Sequence, residues 1–253
     1  MVNVHVGMAA VERVLYINSL ENLKYYRNDF DRLYFGQEFC ERLIPSPDQV
    51  REALLFARNK NLSFSFMTPY VTDRGLDLLV ENLLFLEKTW PESEVIFNDW
   101  GVFRLLYERF SVFTPVLGRL LNKLKRGPRI MNIFEKIPSS SKRYLRGSGF
   151  DTPWMTDFLI NNNVHRVEFD NVLQGTDFKG MDRRISISVY IPFVFVSTTR
   201  YCFAMTPNHN EDRDDNFFVG VFDCSHDCRG YNFRIDNPVM GRPLFRKLNA
   251  GQL

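Results

Sequence analysis

Leu62-Ser63-Phe64-Ser65-Phe66-Met67-Thr68-Pro69 alternates apolar and small polar residues with a period of two and is broken by a proline, the pattern of a strand. Just beyond it Thr72-Asp73 opens a helix whose apolar positions Leu76, Leu79, Val80, Leu83 and Leu86 recur at helical spacing. A strand followed at once by an amphipathic helix is one βα unit, and the unit repeats in both directions along the chain.

Upstream, Val11 to Ile17 and Asp31 to Gly36 read as strands. Ser19 reads as the N-cap of a helix running through Leu23 and Tyr26, and Ser46 or Asp48 as the cap of a helix with apolar positions Val50, Leu54, Leu55 and Ala57. Downstream come a strand at Glu94 to Asp99, a helix from Trp100 to Phe110 and a strand at Val112 to Gly118. A helix near Trp154 to Ile160, a strand at Arg166 to Asp170 and a β-prone run from Ile185 to Val196, interrupted by Pro192, complete the series. Strand and helix alternate about every 20 to 35 residues, which predicts an α/β fold of TIM-barrel-like parallel βα units in one domain over 1–253. Seven parallel strands are counted, one fewer than a closed eight-stranded barrel needs, and nothing after Tyr231 supplies the eighth. An incomplete barrel at the C-terminus therefore stays open. A basic, loop-rich excursion at about 126–150, marked by Gly127-Pro128, Pro138-Ser139-Ser140-Ser141 and Gly147-Ser148-Gly149, interrupts the alternation.

The 253 residues are 45% hydrophobic and 25% charged, an ordinary balance for a chain that buries a core in water. No apolar stretch approaches the ~20 residues of a membrane helix. Met1-Val2-Asn3-Val4-His5 lacks the basic and then apolar pattern of a secretory leader, so a cytoplasmic location is expected, where disulfides are disfavoured. A net charge of +2 implies no nucleic acid by itself, but the charge is uneven. Arg119, Lys123, Lys125, Arg126, Arg129, Lys136, Lys142, Arg143 and Arg146 stand against one acid, Glu135. Such a run can face RNA phosphates; a solvated helix face and loop is the plainer reading.

Asp223-Cys224-Ser225-His226-Asp227-Cys228 holds half of the chain's four cysteines, just after the apolar, strand-like run Phe217 to Phe222. Cys40 and Cys202 lie far off in sequence. Thiolate is a soft ligand, and four complete either a tetrahedral zinc site or the coordination of one iron–sulfur cluster. Cys40, in Phe39-Cys40-Glu41, could equally be a small buried hydrophobe, and the C-x3-C spacing is looser than the usual C-x2-C pair. His226 could donate to a ligand sulfur or be an exposed loop residue. Asn98 and Asp99 follow the fourth strand and Arg119 the fifth, the end of a barrel where substrates bind, so these three are candidate catalytic residues. For Asp99, placed before Trp100, helix capping is the competing role. Neither H-E-x-x-H nor G-x-S-x-G is present, the four histidines are scattered, and Cys40 with His165 could make a thiol–imidazole pair only by tertiary accident.

Three stretches carry a resemblance. Leu33-Tyr34-Phe35-Gly36-Gln37, Asn98-Asp99-Trp100-Gly101 and Leu117-Gly118-Arg119-Leu120-Leu121-Asn122 are similar, in order, to the "VYLGE", "NDWG" and "GRxLN" motifs of the collagenase-like peptidase family U-32. The likeness spans about residues 11 to 245 and implies a TIM-barrel-type core. Within that family the cysteine pattern most resembles the iron–sulfur proteins of oxygen-independent ubiquinone biosynthesis. One cysteine there follows the strand-two motif, as Cys40 does; another follows an arginine late in the chain, as Cys202 follows Arg200; the last two lie close together, as Cys224 and Cys228 do. The resemblance implies a four-iron four-sulfur cluster on Cys40, Cys202, Cys224 and Cys228, with zinc as the alternative. It implies a role in oxygen-independent hydroxylation of a quinone precursor or an RNA base, in a heterodimer with a related family member. The rival readings are a peptidase, as the family's name suggests, and a cysteine-ligated zinc domain for binding or scaffolding.

Overall fold

The computed structural model describes residues 2–4, 11–125, 130–195, 198, 224, 226, 228, 231–236 and 244–249. The chain forms two compact units, Met1–Val196 and Ser197–Leu253.

The first unit is a barrel. Strands β2 (Glu12–Ile17), β3 (Arg32–Gly36), β4 (Ser63–Met67), β5 (Glu94–Phe97), β6 (Thr114–Leu117), β7 (Arg166–Asp170) and β8 (Ser186–Tyr190) pair in sequence order, every pair parallel. The TIM-barrel-like α/β reading and the count of seven parallel strands hold. The remaining place in the ring is taken from the other end of the chain. Strand β1 (Val2–Val4) lies between β8 and β2, antiparallel to both. Three residues are too few to show a period, which is why the sequence points to no strand there.

Local chemistry sets the helices. Helix α1 (Pro47–Asn59) begins at a capping box, in which Ser46 Oγ accepts from Gln49 N and Gln49 Oε1 accepts from Ser46 N, with proline at its first position. It buries Val50, Ala53, Leu54 and Ala57, whereas Leu55, expected on that face, is exposed. Helix α2 (Asp73–Thr89) buries Leu79, Leu83 and Leu86, and α3 (Trp100–Arg109) buries Val102 and Leu106. The helix expected from Ser19 is a 3-10 helix, Leu20–Tyr25, and Ser19 makes no side-chain cap bond. The excursion is less irregular than its composition suggests, since it contains α4 (Ile130–Phe134) and α5 (Ser139–Arg146). Helix α6 (Pro153–Asn161) follows. The β-prone run after Ile185 is a strand only to Tyr190, because Pro192 offers no N–H to a ladder.

Strand alternation then sorts the side chains. Leu33, Phe35, Phe64, Phe66, Val95, Phe97, Val167 and Phe169 belong to the large apolar cluster that the helices join through residues such as Leu54, Leu83 and Leu106. The intervening positions form a smaller cluster of Val14, Tyr34, Met67, Ile96, Val116 and Tyr190, with Tyr16 packed against it. Charge also enters these inner positions. At the N-terminal ends of the strands Arg32 donates to Glu12 and Glu94 at 2.7 Å each, Ser65 donates to Glu94 at 2.6 Å, and Arg166 pairs with Glu94 as well.

In the second unit β9 (Tyr231–Asp236) and β10 (Leu244–Asn249) form an antiparallel hairpin of their own. The strand-like run Phe217 to Phe222 lies outside the described residues. No helix among the described residues is long and apolar enough to cross a membrane.

Candidate functional site

The C-terminal ends of the strands hold a second, deeper group of charges. Its placement starts at Gly36, the last residue of β3, whose φ of 140° lies where side chains are strained. A Cβ there would sit 2.1 Å from the Met67 carbonyl oxygen at the end of β4. Only glycine lets the chain turn this closely, and two residues later Glu38 is completely buried.

Arg119 meets it from the far side. Its Nε donates to Glu38 Oε1 at 2.5 Å and its Nη2 to Glu38 Oε2 at 2.7 Å, a two-pronged grip that matches guanidinium to carboxylate geometry. Its Nη1 donates to Asp170 Oδ1 at 2.8 Å. The guanidinium lies 3.7 Å from the ring centroid of Tyr190, with the rings of Phe39 and Phe195 at 5.8 and 5.4 Å. Phe39 and Phe195 meet edge to face at 5.8 Å. Burial works against the Arg119 charge, but Glu38, through charge and hydrogen bonding, together with Tyr190 and Asp170, outweighs it and holds the guanidinium firmly protonated.

One layer further in, Tyr190 Oη donates to Glu168 Oε2 at 2.9 Å, and Glu168 Oε1 has no hydrogen-bond partner. Burial, reinforced by the neighbouring Glu38 charge, pushes the Glu168 carboxyl up to about 8. The same burial raises the Tyr190 and Tyr16 phenols, with Glu168 and Glu38 respectively adding to it. The site thus combines a fixed cation held by two carboxylates with a third carboxyl whose ionisation burial opposes.

Of the candidate catalytic residues, Arg119 is at the centre. Asn98 stands beside it in a supporting role: its Nδ2 donates to Thr68 O at 2.9 Å and its Oδ1 accepts from Leu120 N at 3.1 Å. Gly118 makes room for it, since a Cβ there would lie 2.1 Å from Asn98 Oδ1. Asn98 therefore ties the end of β4 to the segment that carries Arg119. Asp99 caps α3, its Oδ1 accepting from Gly101 N at 2.6 Å and its Oδ2 from Val71 N at 3.4 Å. That is the capping geometry weighed against catalysis.

The cysteines divide between the two units. Cys40 is half-buried directly after Phe39, at the start of a 3-10 helix, Glu41–Leu43. Cys224 and Cys228 are half-buried in the second unit, with His226 between them at a φ of 60°. Cys202, Arg200 and Arg229 lie outside the described residues. Among the described residues no three histidine, cysteine or acidic side chains gather as a metal site. His165 precedes β7 at the opposite end of the barrel from Cys40, with its ring against Asn163 at 3.1 Å, so the thiol–imidazole pair does not form.

The basic stretch loses one member. Arg119 is buried in ion pairs and is not part of the surface. Lys123, Lys136, Arg143 and Arg146 are exposed. Lys142 pairs with Glu135 at 2.9 Å, Arg146 donates to Gln174 O at 2.7 Å, and Lys125 lies 4.5 Å over the Tyr144 ring. Arg126 and Arg129 lie outside the described residues.

Glu38, Glu168, Asp170 and Tyr190 were not singled out by the sequence. A signal does exist in Arg166-Val167-Glu168-Phe169-Asp170, where charge alternates with apolar residues. In most sheets that pattern marks a solvent-facing side; here both sides of β7 are buried.

No family model matches the chain, and no curated protein matches it. A solved structure of a U32 peptidase is similar, with a TM-score of 0.45 and 14% identity over 72% of this chain and 69% of that one.

Proposed function

We propose that the chain is an iron–sulfur protein on a U-32-like barrel, acting in oxygen-independent hydroxylation of an RNA base or a quinone precursor. Cys40, Cys202, Cys224 and Cys228 are the proposed ligands of a four-iron four-sulfur cluster. The donor set fits such a group, because it consists of four soft thiolates in the order set out above, and the three described ones are half-buried. The cluster would supply one-electron chemistry.

The observation that carries the reading is the position of Cys40, two residues past the buried Glu38, on the same loop at the C-terminal end of the barrel. Barrel enzymes build their sites at that end. Arg119, held by Glu38 and Asp170, sets a fixed positive charge beneath that loop, and Asn98 and Asp99 hold the segments around it. Phe39 and Phe195 shield the guanidinium and give a base or a quinone ring an aromatic surface.

Between the two substrates, helix α5 favours RNA. It carries Lys142, Arg143 and Arg146 within eight residues and no acid. A cytoplasmic location and a heterodimer with a related protein belong to the same proposal. The peptidase reading loses its one candidate pair, since Cys40 and His165 lie at opposite ends of the barrel. Protein purified without oxygen should be brown, with iron and sulfide in stoichiometric amounts. A colourless anaerobic preparation that binds one zinc would instead support the zinc domain.

A further inference from the structure

The barrel interior holds more acid than base. At the C-terminal end Arg119 is matched by Glu38 and Asp170, and at the N-terminal end Arg32 and Arg166 are matched by Glu12 and Glu94. Each of these arginines already pairs with a carboxylate before Glu168 is counted, although Arg166 Nε is without a partner. Glu168 lies between these two groups on β7, completely buried, with one oxygen accepting from Tyr190 and the other without a partner. Leaving an ionised carboxylate half-satisfied at such depth costs far more than leaving a neutral carboxylic acid so.

We propose that Glu168 is a neutral carboxylic acid that serves the C-terminal site as a proton reservoir, with the Tyr190 hydroxyl as the link between it and the Arg119 group. This role does not depend on the iron–sulfur reading. The groups that face Glu168 are Tyr16 on β2, Tyr34 on β3, Glu38 beyond β3, Arg119 beyond β6, Arg166 on its own strand and Tyr190 on β8. The two arginines and the Tyr190 bond favour its ionised form, and burial and Glu38 oppose them and prevail. When Glu168 gives up its proton, the O–H bond breaks and the proton passes to a basic atom of a bound substrate or to solvent base. The charge left behind falls on the carboxyl that the Tyr190 hydroxyl already holds at 2.9 Å, with the Arg119 guanidinium over the ring of the same tyrosine. Tyr190 is therefore a positioning residue: it sets how readily Glu168 ionises and touches both the carboxyl and the guanidinium.

The test is a carbon-13 NMR titration of glutamate side-chain carboxyls in the whole protein. One resonance should titrate with a midpoint near 8, and it should be missing in Glu168→Gln. Tyr190→Phe removes only a hydroxyl, and it should move that midpoint higher because the bond that favours the charged form is gone. If every glutamate carboxyl in the native protein titrates in the ordinary acidic range, the reservoir is overturned. If the midpoint in Tyr190→Phe is unchanged, the link through Tyr190 is overturned.

Discussion

Arg119 and Glu38, 81 residues apart, grip each other through two hydrogen bonds of 2.5 and 2.7 Å inside the barrel. The pair joins the loop after β3 to the segment after β6, and Asp170 on β7 completes the bridge. It is buried, so water does not screen it as it would screen a surface pair.

Removing the cation should therefore be costly. Arg119→Met removes the cation from two buried carboxylates, and a loss of roughly 3–5 kcal/mol in chemical denaturation is expected. Arg119→Lys should recover only part of this, because an ammonium cannot make the parallel pair of bonds.

Gly36 should tolerate no side chain. With a φ of 140° and the Met67 oxygen 2.1 Å from where a Cβ would lie, Gly36→Ala should lower stability by more than about 1 kcal/mol. A thermal melt against the native protein measures it, and an unchanged melt would show that the turn relaxes freely.

Asp99 separates structure from chemistry. As the N-cap of α3 it should cost about 1 kcal/mol of stability when changed to alanine and far less when changed to asparagine, which also caps. Denaturation of the two variants side by side distinguishes them.

Glu168 should make stability depend on pH in a definite direction. Its carboxyl is near 4.5 when exposed and about 8 when folded, so between these values the folded chain holds a proton that the unfolded chain has lost. Its contribution is fully present below the lower value, declines as pH rises through the window, and is gone above the upper one. Urea midpoints of the native protein and Glu168→Gln, compared from about pH 5 to about pH 9, should show a decline in the native protein that the variant lacks.

The frame was readable because its signals are local. Ser46 or Asp48 and the spacing of Val50, Leu54 and Ala57 announce α1; Thr72, Asp73 and the Leu79, Leu83 and Leu86 stripe announce α2; and both helices stand there. What was hidden depends on closure of the ring. Strand β1 is too short to carry a period, and it has meaning only between β8 and β2. Glu168 and Asp170 look like surface residues until seven strands fold around them. Arg119 was legible as a site residue from its place after β6, but its partner Glu38 was not, since no local pattern connects residues so far apart. Asn98 and Asp99 were legible as important, and their bonds to backbone amides and carbonyls supply the reason.

The central claim is the four-cysteine cluster, and iron analysis of variants tests it most directly. The native protein and Cys40→Ala, Cys202→Ala, Cys224→Ala and Cys228→Ala should be purified without oxygen, with iron and sulfide measured and electron paramagnetic resonance recorded after reduction. About four irons and four sulfides per native chain, with a reduced-cluster signal, are predicted, and each single variant should lose most of both. Full iron in any one of the four variants, or one tightly bound zinc in place of iron in the native protein, would contradict the account.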